Sequence, residues 1–200
     1  MKLTYEIENK YADAGYKVVC GTDEAGRGPL AGDVYAAAVI LPDGCEIEGL
    51  DDSKKLSGKK REALFDVIRE RAVSYGIASA SPAEIDEINI LNAAQLAMRR
   101  AVAMLDPQPD LTLVDGNIAR GFPMDTVTVV KGDSKSPSIA AASILAKVSR
   151  DRECLKLHEM YPQYNFAKHK GYPTKEHMEA VKKYGPCPVH RRTFLKFLEK

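Results

Sequence analysis

Several features that settle a protein's class on their own are scarce in this chain. No apolar run approaches the ~20 residues of a membrane span, and residues 1–10 hold no hydrophobic signal core. The expectation is a cytoplasmic protein with no membrane partner. The four cysteines, Cys20, Cys45, Cys154 and Cys187, are scattered, and no pair has Cys-x-x-Cys spacing. A zinc site is therefore not expected, and without a secretory leader the cysteines read as free thiols. Formal net charge is only +1, so the chain is not polybasic throughout. Internal repeats and low-complexity linkers are missing as well. What is present is ordinary for one globular domain: 200 residues, 44% hydrophobic and 28% charged, enough for a substantial core.

The small net charge hides an uneven distribution. Residues 166–200 hold nine Lys/Arg against three Glu, a local +6, so the rest of the chain sums to −5. All four histidines, His158, His169, His177 and His190, also lie after residue 150. An acidic body with a basic tail fits a metal site beside a nucleic-acid grip. A solvated helical surface fits the same charge run. Residues from about 160 to 200 are read as a basic helical substrate-binding appendage on a single catalytic domain.

Residues 17–22 read as a buried strand ending at Asp23, and 34–41 as a second apolar run after a glycine-rich loop, so a long hairpin is expected. Further strands are expected over 73–80, 111–114 and 126–130. Ser57 can cap a helix through about residue 71. Ser81-Pro-Ala-Glu84 has capping-box spacing with Pro in the first helical position, opening a helical region broken near Asn89 that reaches residue 105. Alanine-rich residues 138–158 form another helix. Residues 174–184 form one that stops at Gly185, and 191–198 a last short one. The order predicts an α/β protein with a mixed five-stranded sheet and helices on both faces.

Carboxylates recur at the predicted strand ends: Asp23-Glu24, Asp115 and Asp133. Neighbouring strands lie ~4.8 Å apart, so three such ends at one sheet edge bring the acids within reach of the same ions. Adjacent strand residues point to opposite faces. For Asp23 and Glu24 to converge, regular pairing is expected to stop there, eased by Gly26 and Gly28. Acidic oxygen donors suit hard Mg²⁺ or Mn²⁺. Two such ions ~4 Å apart can activate a water and stabilise the leaving oxygen of a phosphodiester. Taken singly, Asp115-Gly-Asn117 and Gly132-Asp133-Ser134 also read as a turn and a helix cap.

The run Asp23-Glu-Ala-Gly-Arg-Gly-Pro29 closely resembles the signature of type 2 ribonuclease H, the ribonuclease HII family. Asp52-Ser-Lys-Lys-Leu-Ser57, Asp86-Glu-Ile-Asn-Ile-Leu91, Val114-Asp-Gly-Asn117 and Val130-Lys-Gly-Asp133 continue the resemblance. So do Ala141-Ala-Ser-Ile-Leu-Ala-Lys-Val148 with Arg150-Asp151, and His169-Lys-Gly-Tyr-Pro-Thr174. The blocks stand in family order over roughly residues 17–195; the first 16 residues are not diagnostic.

The resemblance implies an RNase H-like fold and a two-ion site made by Asp23, Glu24, Asp115 and Asp133. It implies cleavage of RNA in RNA–DNA hybrids, and incision 5′ of a ribonucleotide embedded in duplex DNA that leaves 3′-hydroxyl and 5′-phosphate ends. Removal of misincorporated ribonucleotides and of RNA primers is the expected role. Gly26, Arg27 and Gly28 match the family's reader of the 2′-hydroxyl, the group that separates RNA from DNA. Tyr172 matches the tyrosine that stacks on the following sugar. Lys54 and Lys55 are expected on backbone phosphates. Ser143 and Lys147, on one predicted helix with Arg150 and Asp151, support the site or meet phosphate. An Arg150–Asp151 pair would be structural. Arg191 and Arg192 read either as nucleic-acid contacts or as plain surface. A monomer is expected. The competing readings are another RNase H-fold nuclease acting on DNA and a non-catalytic hybrid-binding protein.

Overall fold

The computed structural model describes residues 3–199, so Lys200, the last cation of the basic tail, lies outside the described residues. A short helix α1 (Glu6–Asp13) leads into the hairpin β1 (Val19–Ala25) and β2 (Val34–Ile40). Helix α2 (Gly58–Arg71), β3 (Ser74–Ala80) and α3 (Pro82–Ala103) follow, then β4 (Leu111–Asp115) and β5 (Asp125–Val129). The long α4 (Pro137–Met160), the single turn α5 (Phe166–His169) and α6 (Lys175–Tyr184) complete the helices. The sheet order is β3-β2-β1-β4-β5. The β1–β2 and β2–β3 pairs are antiparallel, and β1–β4 and β4–β5 are parallel. The expected mixed five-stranded sheet is the one observed.

Strand periodicity puts helices on both faces. In β2, Ala37 and Val39 pack with α2 and α4, alongside Phe65, Ile68 and Leu145. Ala36 packs with α3, against Ala93, Ala97 and Met98, and Ala38 joins Ala101 and Val102. Helix α4 is buried all round over its first ten residues, Pro137 to Ala146, which identifies it as a core helix rather than an amphipathic surface one. Its alanines let it lie close on β1. A Cβ on Gly21 would fall inside the backbone of Ser138 and Ile139.

The capping expectations hold in atomic detail. The Ser57 hydroxyl accepts from the Lys60 N–H, and Ser81 with Glu84 forms the complete capping box. Within α3, Asn89 leaves helical geometry (φ 66°, ψ 163°). Its Oδ1 accepts from the N–H groups of Leu91 and Asn92, capping the second segment.

Two expectations need correction. First, β1 does not end at Asp23. Its pairing with β2 continues through Glu24↔Ala36 and Ala25↔Tyr35, while pairing with β4 stops at Thr22↔Val114. Second, residues 191–198 form two 3-10 turns, Arg192–Phe194 and Lys196–Leu198, instead of a helix. The first 16 residues contribute α1, whose Glu8 carboxylate accepts from the hydroxyls of Ser136 and Ser138 at 2.6 Å each. That contact ties α1 to the start of α4. The C-terminal part has its own apolar cluster, in which Leu30 and Ala31 pack among Leu157, Tyr164, Phe166, Val181 and Leu195.

Candidate active site

The one-sided end of pairing at β1 builds the site. One step beyond the last β1–β4 pair, Thr22↔Val114, stand Asp23 and Asp115 on neighbouring parallel strands. Asp133 follows on a 3-10 turn, Gly132–Ser134, entered through the left-handed Lys131. Asp115 fixes this turn, since its Oδ1 accepts from the Gly132 N–H at 2.7 Å. Asp23 is buried, and its Oδ1 accepts from the Glu24 N–H at 2.7 Å.

These acids crowd one another. Burial, and then the charges of Glu24 and Asp115, push the Asp23 carboxyl well above the usual range. Burial raises Glu24 too, with Asp115 adding to the shift and Arg27 opposing it. Asp115 is raised by burial and by Asp133. Asp23, Glu24, Asp115 and Asp133 are thus electrostatically joined although strand alternation separates the first two.

Two cations already sit on this cluster. Lys54 Nζ lies 3.1 Å from Asp133 Oδ2, and Arg27 Nη1 lies 3.3 Å from Glu24 Oε1. Both reach in from exposed positions. Lys55 turns instead to Asp51 at 2.9 Å. Ser143 is buried beneath Asp23 and shares a 2.8 Å hydrogen bond with Ser53, the residue preceding Lys54. Lys147 is tied to Asp151 at 2.7 Å. Arg150 does not pair with Asp151; its Nη2 donates to the Lys170 carbonyl at 2.8 Å. The spacing explains this, because sequence neighbours on a helix do not face each other.

The Gly26–Gly28 loop and Tyr172 meet. A Cβ on Gly28 would stand 3.4 Å from Tyr172 Cε1, so the glycine backbone lies against the ring. Gly26 has φ +98° and leaves no room for a Cβ beside the Arg150 guanidinium. That guanidinium also lies 5.8 Å from the centre of the Tyr172 ring. Tyr172 itself is 44% exposed.

Buried histidines hold the Tyr172 backbone. The Tyr172 carbonyl can only accept, so His177 Nδ1, at 3.0 Å, carries a proton. His190 Nδ1 accepts from the Cys187 N–H, so its Nε2 donates to His177 Nε2 at 3.1 Å. His169 Nδ1 likewise accepts from Gly171 N–H while Nε2 donates to the Tyr164 carbonyl. All three rings are neutral, each in one tautomer. Burial, then the neighbouring His177, pulls His190 down to about 4. The unfolded chain therefore takes up this proton first as pH falls. The stability His190 contributes is complete above the ordinary imidazole value of about 6.5 and is lost as pH drops from there to about 4. In an NMR titration the His190 ring is expected to stay neutral through pH 5; a midpoint near 6.5 would contradict the relay.

Arg191 requires the plainest correction. It is neither a surface residue nor a nucleic-acid contact, being fully buried with its guanidinium on carbonyls of the 26–32 segment. Arg192 stays outside, its N–H donating to Asp86 at 2.8 Å. Nothing in the sequence separates these adjacent arginines. The apolar residues around them, Val189 and Phe194, are the one available hint of burial.

The chain matches the family model for ribonuclease HII over residues 20–197. Ribonuclease HII of Acetivibrio thermocellus is 53% identical over 98% of this chain and 80% of its own. Ribonuclease HII of a Marinomonas species is 58% identical over 88% and 89%. This chain belongs to the ribonuclease HII family. The crystal structure of ribonuclease H2 from Pyrococcus horikoshii OT3 superposes with a TM-score of 0.73 at 29% identity, over 92% of this chain and 97% of that one. The mixed sheet is thus an RNase H-like fold, and the protein is an endonuclease that hydrolyses RNA in hybrids.

The acids suit the divalent cations on which ribonuclease H chemistry depends. Among the described residues no three His, Cys, Asp or Glu side chains are drawn tightly enough to enclose an ion as they stand. The donor chemistry nevertheless fits. The groups are oxygen donors, their mutual repulsion favours a cation, and Lys54 and Arg27 already supply one to Asp133 and Glu24.

Proposed function

We propose that this ribonuclease HII incises duplex DNA on the 5′ side of an embedded ribonucleotide as well as cutting RNA in hybrids, through a two-ion site held by Asp23, Glu24, Asp115 and Asp133. The observation that carries this reading is the meeting of Gly28 with Tyr172 beside the crowded acids. Two Mg²⁺ or Mn²⁺ ions, when bound, would supply a polarised nucleophile and charge stabilisation for the departing 3′-oxygen. Asp23 and Asp115 are the central ligands, on adjacent strands. Glu24 and Asp133 complete the set as Arg27 and Lys54 turn from the acids to phosphate. Gly26, Arg27 and Gly28 hold the ribose, since a glycine backbone can approach a sugar without a Cβ between them. Tyr172 receives the following deoxyribose on its exposed ring. Ser143, through its hydrogen bond to Ser53, steadies the segment that bears Lys54 and Lys55, and Lys147 supports the site or meets phosphate. The same activity removes misincorporated ribonucleotides and primer RNA. The enzyme works as a cytoplasmic monomer.

A substrate panel tests the proposal. With Mg²⁺ or Mn²⁺, a duplex containing one ribonucleotide and an RNA–DNA hybrid should both be cut, an all-DNA duplex should stay intact, and chelation should stop all cleavage. Cutting of the all-DNA duplex would favour a DNA nuclease. Binding without cleavage would favour a passive hybrid-binding protein. Tyr172→Ala should lose about tenfold more activity on the single ribonucleotide than on the long hybrid, the scale of one aromatic contact. Equal losses would remove Tyr172 from junction reading.

A further inference from the structure

Arg191 makes five hydrogen bonds to one short segment. Its Nη2 donates to the Gly26 carbonyl at 2.7 Å, and its Nη1 to those of Arg27 and Pro29 at 3.0 and 2.8 Å. Its Nε donates to the Gly32 carbonyl at 2.9 Å, and its own N–H to that of Leu30 at 2.8 Å. The side chain is fully buried, and burial lowers its guanidinium to about 9, which leaves it charged at neutral pH. A charge this deep requires compensation. Among the described residues every hydrogen-bond acceptor of this guanidinium is a peptide oxygen of the 26–32 segment.

That choice of acceptors has a directional consequence. In a trans peptide the N–H points opposite to the C=O. Turning the oxygens of Gly26 and Arg27 inward to Arg191 turns the N–H groups of Arg27 and Gly28 outward. Successive outward amides form a donor concavity. It lies between Glu24, which the Arg27 side chain reaches, and the Tyr172 ring, which Gly28 touches. Arg150 lies under Gly26 from the α4 side, with its Nη2 donating to the Lys170 carbonyl.

We propose that Arg191 is a positioning residue for ribonucleotide recognition, holding the Gly26 and Arg27 carbonyls so that the amides of Arg27 and Gly28 present a donor pair to the 2′-hydroxyl. The inference rests on the reading of the loop given under Proposed function and assigns its geometry to a residue far off in sequence. Lysine cannot replace the fork, since an ammonium is a point charge with three donors.

The test is binding by fluorescence anisotropy in Ca²⁺, comparing a duplex with one ribonucleotide against the same all-DNA duplex. The wild type should prefer the ribonucleotide; no preference would overturn the reading of the loop, and this inference with it. Arg191→Lys should bind the all-DNA duplex within about twofold of wild type while losing at least fivefold of the preference. A retained preference, or equal weakening on both duplexes, would overturn the positioning role while leaving the loop reading intact. A second measurement needs no variant. In the wild type, hydrogen exchange at the Arg27 and Gly28 amides should slow at least tenfold on adding the ribonucleotide duplex and not on adding all-DNA duplex. Unchanged exchange with the ribonucleotide duplex would overturn the proposal even if Arg191→Lys failed to fold.

Discussion

Asp23→Asn is expected to lower cleavage by about a thousandfold or more while leaving the fold intact. Asp23 is the most crowded of the four acids, on a strand that keeps its pairing with β2 and has just lost its pairing with β4. Asparagine keeps an oxygen for the Glu24 N–H, so the local hydrogen bond of 2.7 Å survives. What disappears is the negative charge that would be shared with the ions. Charge stabilisation of this kind is worth several kcal/mol, and each ~1.4 kcal/mol is tenfold in rate. Removing one of several mutually repelling buried acids does not threaten the fold, so Tm measured in chelator should hold or rise. Asp115→Asn should behave alike. Near-wild-type turnover in either purified variant would contradict the assignment, and a large fall in Tm would recast the acid as structural.

Gly21→Ala should have the largest effect on stability. Gly21 stands in the central strand, and its missing side chain is the space that the backbone of Ser138 and Ile139 occupies. Backbone cannot rotate away as a side chain can, so a methyl here forces β1 and α4 apart. Overpacking of a core costs ~1–3 kcal/mol and occasionally more, and this site belongs at the upper end. For a domain of this size ~3 kcal/mol corresponds to a fall in Tm of roughly 6–12 °C. Because β1 carries Asp23 and α4 carries Ser143, activity should fall along with stability. Gly58→Ala is the control. Nothing lies within 4 Å of a Cβ there, so Tm should barely move. Equal, small shifts in both variants would show that the strand–helix contact is looser than described.

Where local chemistry decides structure, the sequence was readable. Ser57, and Ser81 with Glu84, are legible as helix caps because a hydroxyl at that position satisfies amides only a few residues away. The five strands and the break at Asn89 were legible for similar reasons. The strand-end acids were visible as a pattern, and parallel pairing of β1 with β4 is what makes Asp23 and Asp115 neighbours. The expected break in β1 at Asp23 and Glu24 is not there: the strand stays paired with β2 through Ala25 and loses only β4, so it is Asp23 and Asp115 that stand side by side, which no single segment can reveal.

The arginines were harder. A basic run looks the same whether it is solvated or folded inward, and Arg191 differs from Arg192 only in what the distant Gly26–Gly32 segment offers it. Helix α1 was missed because its anchor, Glu8 on Ser136 and Ser138, spans about 130 residues of sequence. The acids and Tyr172 are candidates that the motifs alone supply. The support beneath them, Arg150, Arg191 and the His177–His190 relay, is tertiary and became visible only in the fold.

The most direct measurement is nucleotide-resolution mapping of the cut in a DNA duplex that contains one ribonucleotide, with Mg²⁺ or Mn²⁺ present. A single incision is expected immediately 5′ of the ribonucleotide, leaving a 3′-hydroxyl on the upstream DNA and a 5′-phosphate on the ribonucleotide. Incision on the 3′ side, cuts scattered along the strand, or equal cutting of the all-DNA duplex would contradict it.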